Sequence, residues 1–391
     1  MIKKLFIAVF HLVCRIIYKV SGFFVKKDRI YFESFHGKQF SDSPRSIYTY
    51  MKEHYPEYEL VWGVKKGYEL LFMENDVEYV QRLSLKGMFM MASSKVWVIN
   101  TRMPDWMIKS KKTIYIQTWH GTPLKKLGLD IEKVEMPGVS TQDYREKFSK
   151  ESARWDYLIS ANSYSSQIFK RAFNFKNTML EVGYPRNDDL VNIFNVNHLK
   201  ENLGISNEKK IILYAPTWRD NQFYTKGSYK FELPFSISDF TNKFGDKTIL
   251  LVRMHYLISE WFDLSQYEGK VLDVSNYPDM RELLMISDLL ITDYSSSFFD
   301  FSLTNKPVLF YMFDQDEYSS VTRGMYFNAS EVLPWPIVKK ESDLTTKVME
   351  YLDGEIEVDE NKLTQFKRRF ADFDHGTACE SVVKIIIEKT K

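Results

Sequence analysis

The chain has 391 residues, a formal net charge of +1 and 44% hydrophobic residues, and this length suits two domains of ordinary size. A charge so close to zero gives no overall field of the kind that marks nucleic-acid-binding proteins, which argues against that class. The two cysteines, Cys14 and Cys379, stand near opposite ends and show neither metal-ligand nor disulfide spacing, which predicts a reducing, cytosolic compartment.

Residues 1–28 predict an amphipathic helix that lies in the membrane interface. Arg15 and Lys19 interrupt the apolar run, which therefore falls short of the roughly 20 apolar residues of a spanning helix. Arg15 also stands where a signal peptide would have its small-residue cleavage site. We expect a basic stripe to face the anionic headgroups of the inner leaflet, and a buried first helix of the domain is the alternative. The polar positions of this stripe recur every three or four residues: Lys4, His11, Arg15, Lys19, Gly22 and Lys26.

Residues 29–200 alternate short β-branched and aromatic runs with helical patterns such as Pro44–His54 and Leu83–Ala92. Strands that alternate with helices predict a parallel sheet with helices on both faces, and so a Rossmann-like N-terminal domain. The strand candidates are Ile30–Ser34, Leu60–Val64, Glu78–Val80, Val96–Asn100, Thr113–Thr118, Tyr157–Ala161 and Leu180–Gly183.

Residues 201–391 repeat this pattern and predict a second Rossmann-like domain. Because ligands bind at the carboxyl ends of parallel strands, we expect a site in a cleft between two facing domains. The tail from Leu363 onward reads as helical and is expected to pack back across the first domain. The candidates are the strands Ile211–Tyr214, Thr248–Arg253, Val271–Val274, Leu289–Thr292 and Val308–Tyr311, and the helices Met280–Ser287 and Phe298–Leu303.

A histidine follows the fifth predicted strand, in the segment Trp119–Pro123. A pKa near 6.5 suits an imidazole at a strand end to deprotonate a hydroxyl group at cytosolic pH, so His120 is a candidate general base. Gly121 leaves room for a ligand, and Lys125 could attract an anionic acceptor. The chemistry alone leaves open that His120 is a hydrogen-bonded structural histidine.

Two further strand ends carry groups that suit a phosphate. Thr217 and Arg219 offer a hydroxyl and a two-pronged guanidinium, and an exposed pair of Arg219 with its neighbour Asp220 is the alternative. Arg253 and His255 alternate on an extended chain, so both could face an anion, although a buried histidine is equally compatible with the pattern.

The strand Leu289–Thr292 runs into Asp293 and then three serines before a helix. Ser295, Ser296 and Ser297 exceed the needs of one helix cap, and hydroxyls beside backbone N–H groups predict a pyrophosphate site. The loop Asn276, Tyr277 and Pro278 is expected to border the nucleotide base. The sequence has no dinucleotide-binding or P-loop glycine pattern and no metal-ligand spacing, so it predicts neither a nucleotide cofactor nor a metal site.

Taken together, these motifs make the chain similar to the CDP-glycerol glycerophosphotransferase family of wall teichoic acid synthesis. The resemblance is collinear from about Arg29 to the C-terminus. It is carried by Phe32–Lys38, Trp119–Lys125, Ala215–Arg219, Arg253–His255 and Thr292–Ser296.

The resemblance implies a GT-B fold and transfer of glycerol phosphate from CDP-glycerol to an undecaprenyl-linked acceptor at the cytoplasmic face of the membrane, with release of CMP. It assigns His120 as the base and His255, with Arg253, as the group that stabilises the phosphate. Residues 201–391 would hold the donor, and residues 29–200 the acceptor. CDP-ribitol is a rival donor, and a sugar-nucleotide glycosyltransferase or a non-catalytic membrane adaptor is a more distant alternative. The donor-side residues would be Thr217, Arg219, Arg253, Asp293, Ser295, Ser296 and Ser297, and the acceptor-side residues Gly121, Thr122 and Lys125.

Overall fold

The computed structural model describes residues 2–134, 139–193, 195–217, 223–225, 228–229, 233–254, 264–315, 324–356 and 358–391. It divides into two compact units. The first unit contains Met1–Thr122, Lys126–Asp188 and Asp372–Lys391, and the second contains Pro123–Lys125 and Asp189–Ala371.

The first unit is built on a parallel sheet whose described strands run in the order β3-β2-β1-β4-β5-β6-β7. The order reverses between β1 and β4, so the carboxyl ends of these two strands border a topological switch point, where open α/β sheets bind ligands. The strands are β1 (Lys26–Glu33), β2 (Glu59–Val64), β3 (Tyr79–Gln81), β4 (Ser94–Ile99), β5 (Ile114–Gln117), β6 (Tyr157–Ser160) and β7 (Thr178–Glu181).

The second unit has a parallel sheet of the same kind, with its described strands in the order β12-β11-β8-β13-β14-β15. Its switch point lies between β8 and β13. The strands are β8 (Lys210–Ala215), β11 (Thr248–Val252), β12 (Val271–Asp273), β13 (Leu289–Thr292), β14 (Val308–Tyr311) and β15 (Ile337–Val338), with a separate antiparallel pair, β9 (Phe223–Thr225) and β10 (Ser228–Tyr229).

The two parallel sheets confirm the predicted α/β class, and each predicted strand is present with ends that differ by four residues or fewer. The sheets are covered by helices. These are α1 (Ile2–Ser21), α2 (Asp42–His54), α3 (Glu69–Glu74), α4 (Leu85–Ala92), α5 (Thr141–Ser152), α6 (Ser163–Ala172), α7 (Asp188–Val191), α8 (Asn197–Asn202), α9 (Ile237–Phe244), α10 (Met280–Ile286), α11 (Ser297–Phe301), α12 (Ala329–Val332), α13 (Glu341–Asp353), α14 (Glu360–Phe370) and α15 (Ala378–Thr390).

The chain passes from one unit to the other at residues 188 and 189, ahead of the expected boundary at 200 and 201. Helix α8 groups with the second unit because it packs against α10, with Leu199 buried. The C-terminal helix α15 belongs to the first unit, where Val382 and Ile386 join the core beneath the sheet. The Asp188 carboxylate accepts hydrogen bonds from the first backbone N–H groups of α15, those of Ala378 and Cys379.

Helix α1 packs against α4 along one narrow seam. Cys14 and Tyr18 are buried there, and the Tyr18 hydroxyl lies 3.1 Å from the Met91 sulfur. Two of the polar residues of α1 also contact the protein. The His11 ring stacks on Trp106 at 5.4 Å, and Arg15 is paired with Asp105 at 3.3 Å.

The face of α1 opposite this seam is apolar, while Arg15 and Lys19 of the stripe are also exposed. The expectation that the stripe faces lipid headgroups stays a prediction. Gly22 of the stripe is buried against Ser110, and Lys26 already belongs to β1. Among the described residues, Phe6–Phe24 is long and apolar enough to cross a membrane by length and composition alone. The exposed apolar residues are Phe6, Ile7, Val9, Phe10, Leu12, Val13, Ile16, Val20, Phe23 and Phe24.

Candidate functional site

Three loops of the first unit meet at the carboxyl end of its sheet. They follow β1, β4 and β5, and their contacts are made through Asn100, the first residue after β4. The Asn100 side chain accepts a hydrogen bond from the Phe35 N–H at 2.9 Å, and the Asn100 carbonyl oxygen lies 2.8 Å from Nδ1 of His120. The predicted histidine thus lies beside the switch point of the sheet.

The chain turns sharply at Trp119, which adopts a left-handed backbone conformation with φ 53°. The Trp119 N–H donates to the side chain of Gln117, and the Trp119 ring is buried against Phe173 with ring centroids 4.5 Å apart. The imidazole of His120 stacks on the indole at 4.4 Å and remains accessible to solvent. A buried tryptophan therefore anchors the turn that presents His120.

The contact with Asn100 sets the protonation pattern of His120. A carbonyl oxygen can only accept a hydrogen bond, so Nδ1 carries the proton and Nε2 has the lone pair. The described residues give Nε2 no hydrogen-bond partner. Partial loss of hydration beside the surrounding protein atoms lowers the pKa of His120, against the opposite effects of the Asn100 carbonyl and Asp42, while Arg186 lowers it further. A neutral imidazole with a bare Nε2 is the form that can take a proton from a hydroxyl group.

The predicted acceptor-side residues are divided between the two units. Gly121 and Thr122 are buried next to His120, and the Thr122 hydroxyl accepts a hydrogen bond from Asn162 at 3.2 Å. Lys125 groups with the second unit, where its backbone pairs with Met325 in an isolated antiparallel bridge.

The loop after β1 brings a second histidine to the site. Phe35, His36 and Gly37 all have positive φ, at 46°, 60° and 77°, and the Phe35 ring lies 6.0 Å from that of His120. A Cβ atom on Gly37 would lie 2.6 Å from the Gly63 carbonyl oxygen, so only glycine fits that position. The surrounding protein and nearby cations, Arg82 foremost, lower the pKa of His36 to about 4.

In the second unit, Asp293 joins the ends of β8 and β13 at the switch point. It is buried, and its Oδ1 accepts the N–H groups of Thr217, at 2.7 Å, and of Tyr294. Asp293 therefore holds these two strand ends together.

The three serines lie half-exposed at the start of α11. The hydroxyls of Ser295 and Ser297 are 3.0 Å apart, and Ser296, at the N-cap position, makes no side-chain capping bond. The Ser295 hydroxyl also accepts the backbone N–H of Ser297 at 3.3 Å. A small polar cluster thus follows the strand end that Asp293 organises.

Arg253 supports the loop that was expected to border the base. Its Nη1 donates to the carbonyl oxygens of Val274, at 3.2 Å, and Tyr277, at 2.8 Å, and burial lowers its pKa. Asn276 is exposed and Pro278 is half-buried in this loop, and the Tyr277 hydroxyl donates to Glu282 at 2.6 Å. Arg253 therefore fixes the loop, a role that its motif did not indicate.

Arg219 and His255 lie outside the described residues, and their assignments stay predictions. Within the described ranges, no group of three His, Cys, Asp or Glu side chains is placed to hold a metal ion. Sequence reasoning missed Asp42, Asn100 and Arg186, which the structure places around His120. Asn100 stood at the end of a predicted strand, and that position was the one signal that could have drawn attention to it.

Comparison with known proteins shows what the chain is similar to. The family model of the CDP-glycerol:poly(glycerophosphate) glycerophosphotransferases matches residues 14–388. A teichoic acid poly(glycerol phosphate) polymerase of Bacillus subtilis is 46% identical over 367 residues, 93% of this chain and 49% of that protein. A teichoic acid glycerol-phosphate transferase of Staphylococcus aureus is 45% identical, with 93% of each chain covered. The chain thus spans about half of one relative and nearly all of the other.

A solved structure of a related protein has a similar fold. The wall teichoic acid polymerase TagF, as a histidine-to-asparagine variant soaked with CDPG, has a TM-score of 0.88 and 38% identity, with 100% of this chain and 98% of that chain covered. Teichoic acid proteins of Bacillus spizizenii that are named for ribitol phosphate are more distant, at 27% and 25% identity.

Proposed function

This chain belongs to the CDP-glycerol:poly(glycerophosphate) glycerophosphotransferase family, and we propose that His120 is the general base with which it transfers glycerol phosphate to a lipid-linked acceptor. CDP-glycerol is its donor, since the glycerol-phosphate relatives are far more similar to it than the ribitol-phosphate ones. The observation that carries the proposal is the contact of Nδ1 with the Asn100 carbonyl, which leaves the lone pair on Nε2.

The proposed reaction is a displacement at the β-phosphorus of CDP-glycerol. His120 Nε2 takes the proton of the acceptor hydroxyl as its oxygen forms the new bond to phosphorus. The bond from that phosphorus to the bridging oxygen breaks, and CMP leaves with the electron pair. A base of this kind contributes roughly a hundredfold to ten-thousandfold to the rate.

The second unit is proposed to hold the donor. Thr217 and the three serines after β13 offer hydroxyl and backbone N–H groups to the pyrophosphate, and the Asn276–Pro278 loop, fixed by Arg253, borders the base. Arg219 and His255 are proposed, from the sequence resemblance alone, to stabilise the charge of the phosphates.

The acceptor is proposed to be undecaprenyl-linked and to be met at the cytoplasmic face of the membrane. The exposed apolar face of α1 suits a helix that lies in the interface. Its other side is fixed to α4 through Cys14 and Tyr18, which favours attachment over spanning. Exposed apolar residues continue onto α4 at Leu85 and Phe89.

The test is CMP release from CDP-glycerol in the presence of a defined lipid-linked acceptor. We expect His120→Ala to lower turnover by about a hundredfold or more while CDP-glycerol still binds in calorimetry. His198→Ala, which removes an exposed histidine of α8, is the matched control and keeps wild-type turnover. A fully active His120→Ala enzyme would show that His120 is not the base.

A further inference from the structure

Asn100 uses all its polar side-chain atoms, and its carbonyl, to join the loops around His120. Its Oδ1 accepts the Phe35 N–H at 2.9 Å, and its Nδ2 donates to Oδ2 of Asp42, also at 2.9 Å. Its carbonyl oxygen accepts from Nδ1 of His120 at 2.8 Å. Asn100 is fully buried, so it connects the loop after β1, the start of α2 and the histidine within one enclosed network.

An ion pair between Asp42 and Arg186 also holds this network. Oδ1 of Asp42 lies 2.9 Å from Nη1 of Arg186, and their side chains are only 7% and 9% exposed. Arg186 also lies over the ring of Tyr184 at 4.5 Å. A buried ion pair costs desolvation that apolar residues of similar volume would avoid, so its presence here calls for a role other than stability.

The backbone around the pair is strained. Asp42 and His36 both have left-handed φ values, 64° and 60°, which are unfavourable for residues other than glycine. Strain of this kind persists only where surrounding contacts hold it, and it is concentrated at functional sites. Here those contacts come from Asn100, which is bonded at both ends of the loop that contains His36.

We propose that Asp42, Asn100 and Arg186 are positioning residues that hold His120 in the orientation and the electrostatic environment of a general base. The inference rests on the proposed role of His120. Asn100 supplies the acceptor for Nδ1, and the ion pair fixes Asn100 through its side-chain amide. None of the three touches the reacting atoms.

The charges of the pair act on His120 in opposite directions. Asp42 raises the pKa of His120 and Arg186 lowers it, so the two charges of the intact pair oppose each other at the ring. Among the described residues, His36 also interacts with the ring, and it lies near Arg82, Lys38 and Arg102. Loss of one member of the pair therefore leaves a net charge near the base, and loss of both does not.

The experiment measures the pH dependence of kcat for the full chain. In Asp42→Asn the acid limb, where His120 gains its proton, should move to lower pH, and in Arg186→Gln it should move to higher pH. In the double variant, Asp42→Asn with Arg186→Gln, the acid limb should lie close to its wild-type pH. Arg186→Lys keeps the charge, so its limb should stay in place even if kcat falls.

The variant Asn100→Ala tests whether Asn100 holds His120 in its orientation. A displaced base should lower kcat by about tenfold to a hundredfold, with little change in the KM for CDP-glycerol, because the proposed donor residues lie in the second unit. The control is Asp156→Asn, which breaks the ion pair with Lys109 (2.7 Å) in the same unit. It should lower the melting temperature without moving the acid limb.

An acid limb that stays in place in both Asp42→Asn and Arg186→Gln, or that moves the same way in both, would overturn the proposal. If one variant does not fold, the comparison of Arg186→Gln with Arg186→Lys, or of Asp42→Asn with the double variant, decides the question. An active His120→Ala enzyme would instead overturn the proposed function itself, so the two failures are distinguishable.

Discussion

At the residue scale, the character of His120 comes from its neighbours. The Asn100 carbonyl fixes the proton on Nδ1, and partial loss of hydration lowers the pKa of the ring, so it is neutral at cytosolic pH. Trp119 turns the chain and buries its own ring, which leaves the imidazole accessible. The same residue on an ordinary surface loop would have neither a fixed tautomer nor a fixed direction.

His36 gives a prediction about stability and pH. Its pKa in the folded protein is about 4, below the ordinary value of 6.5, so between these values the unfolded chain binds a proton that the folded chain does not. Acidification from pH 6.5 towards 4 should therefore lower the free energy of unfolding. His36→Asn, whose side chain tolerates the left-handed backbone, should lose less stability over that range.

The measurement is denaturant unfolding of both proteins at several pH values, followed by tryptophan fluorescence. The stability curves of wild type and His36→Asn should converge as the pH falls from 6.5 towards 4. Parallel curves would show that protonation of His36 is not linked to folding.

The sequence indicated some of these residues and not others for a physical reason. His120 and the serines after β13 stand directly after apolar strands, so a one-dimensional pattern places them at the carboxyl edge of a sheet. Asp42 meets Asn100 58 residues away and Arg186 144 residues away, and nothing local marks these contacts. Asp293 was predicted to contact phosphate, and that role stays a prediction; its hydrogen bond to the Thr217 N–H, 76 residues away, could not be read from the sequence.

At the scale of elements, the strands were predictable because buried parallel strands are short continuous apolar runs. Helix α1 was harder to interpret. Its spacing identified a polar stripe, but spacing does not say what covers each face. The region after β4 supplies Asp105 and Trp106, which meet Arg15 and His11, and the apolar face is left exposed.

This arrangement predicts that the apolar residues of α1 carry membrane binding. Leu12→Glu with Ile16→Glu should strongly reduce co-sedimentation with liposomes that contain anionic lipid, since each buried leucine or isoleucine contributes about 1.5–3 kcal/mol. Both side chains are more than half exposed, so the fold should be retained, as circular dichroism can show. Deletion of residues 1–27 is a poorer test, because it removes the start of β1 and the seam on α4.

The control is Val191→Glu with Met349→Glu, which adds the same charge at exposed apolar residues of the second unit. This variant should sediment like wild type. Equal sedimentation of the α1 variant and wild type would rule out α1 as the membrane contact.

At the scale of the whole molecule, each unit repeats one plan. The strand order reverses in each sheet between two central strands, β1 and β4 or β8 and β13, and the groups proposed for chemistry follow the carboxyl ends of these strands and their neighbours. The helical tail expected from Leu363 onward divides between the units, since α14 groups with the second and α15 with the first. The capping of α15 by Asp188 joins residues 190 positions apart, which no local pattern could predict.

The most direct measurement identifies the nucleotide released and the mass added when the protein meets a lipid-linked acceptor and either CDP-glycerol, CDP-ribitol or a UDP-sugar. With CDP-glycerol we expect CMP and an acceptor heavier by one or more glycerol phosphates, and with CDP-ribitol much slower turnover. Release of a nucleoside diphosphate, or preferential transfer from CDP-ribitol, would contradict the proposed function.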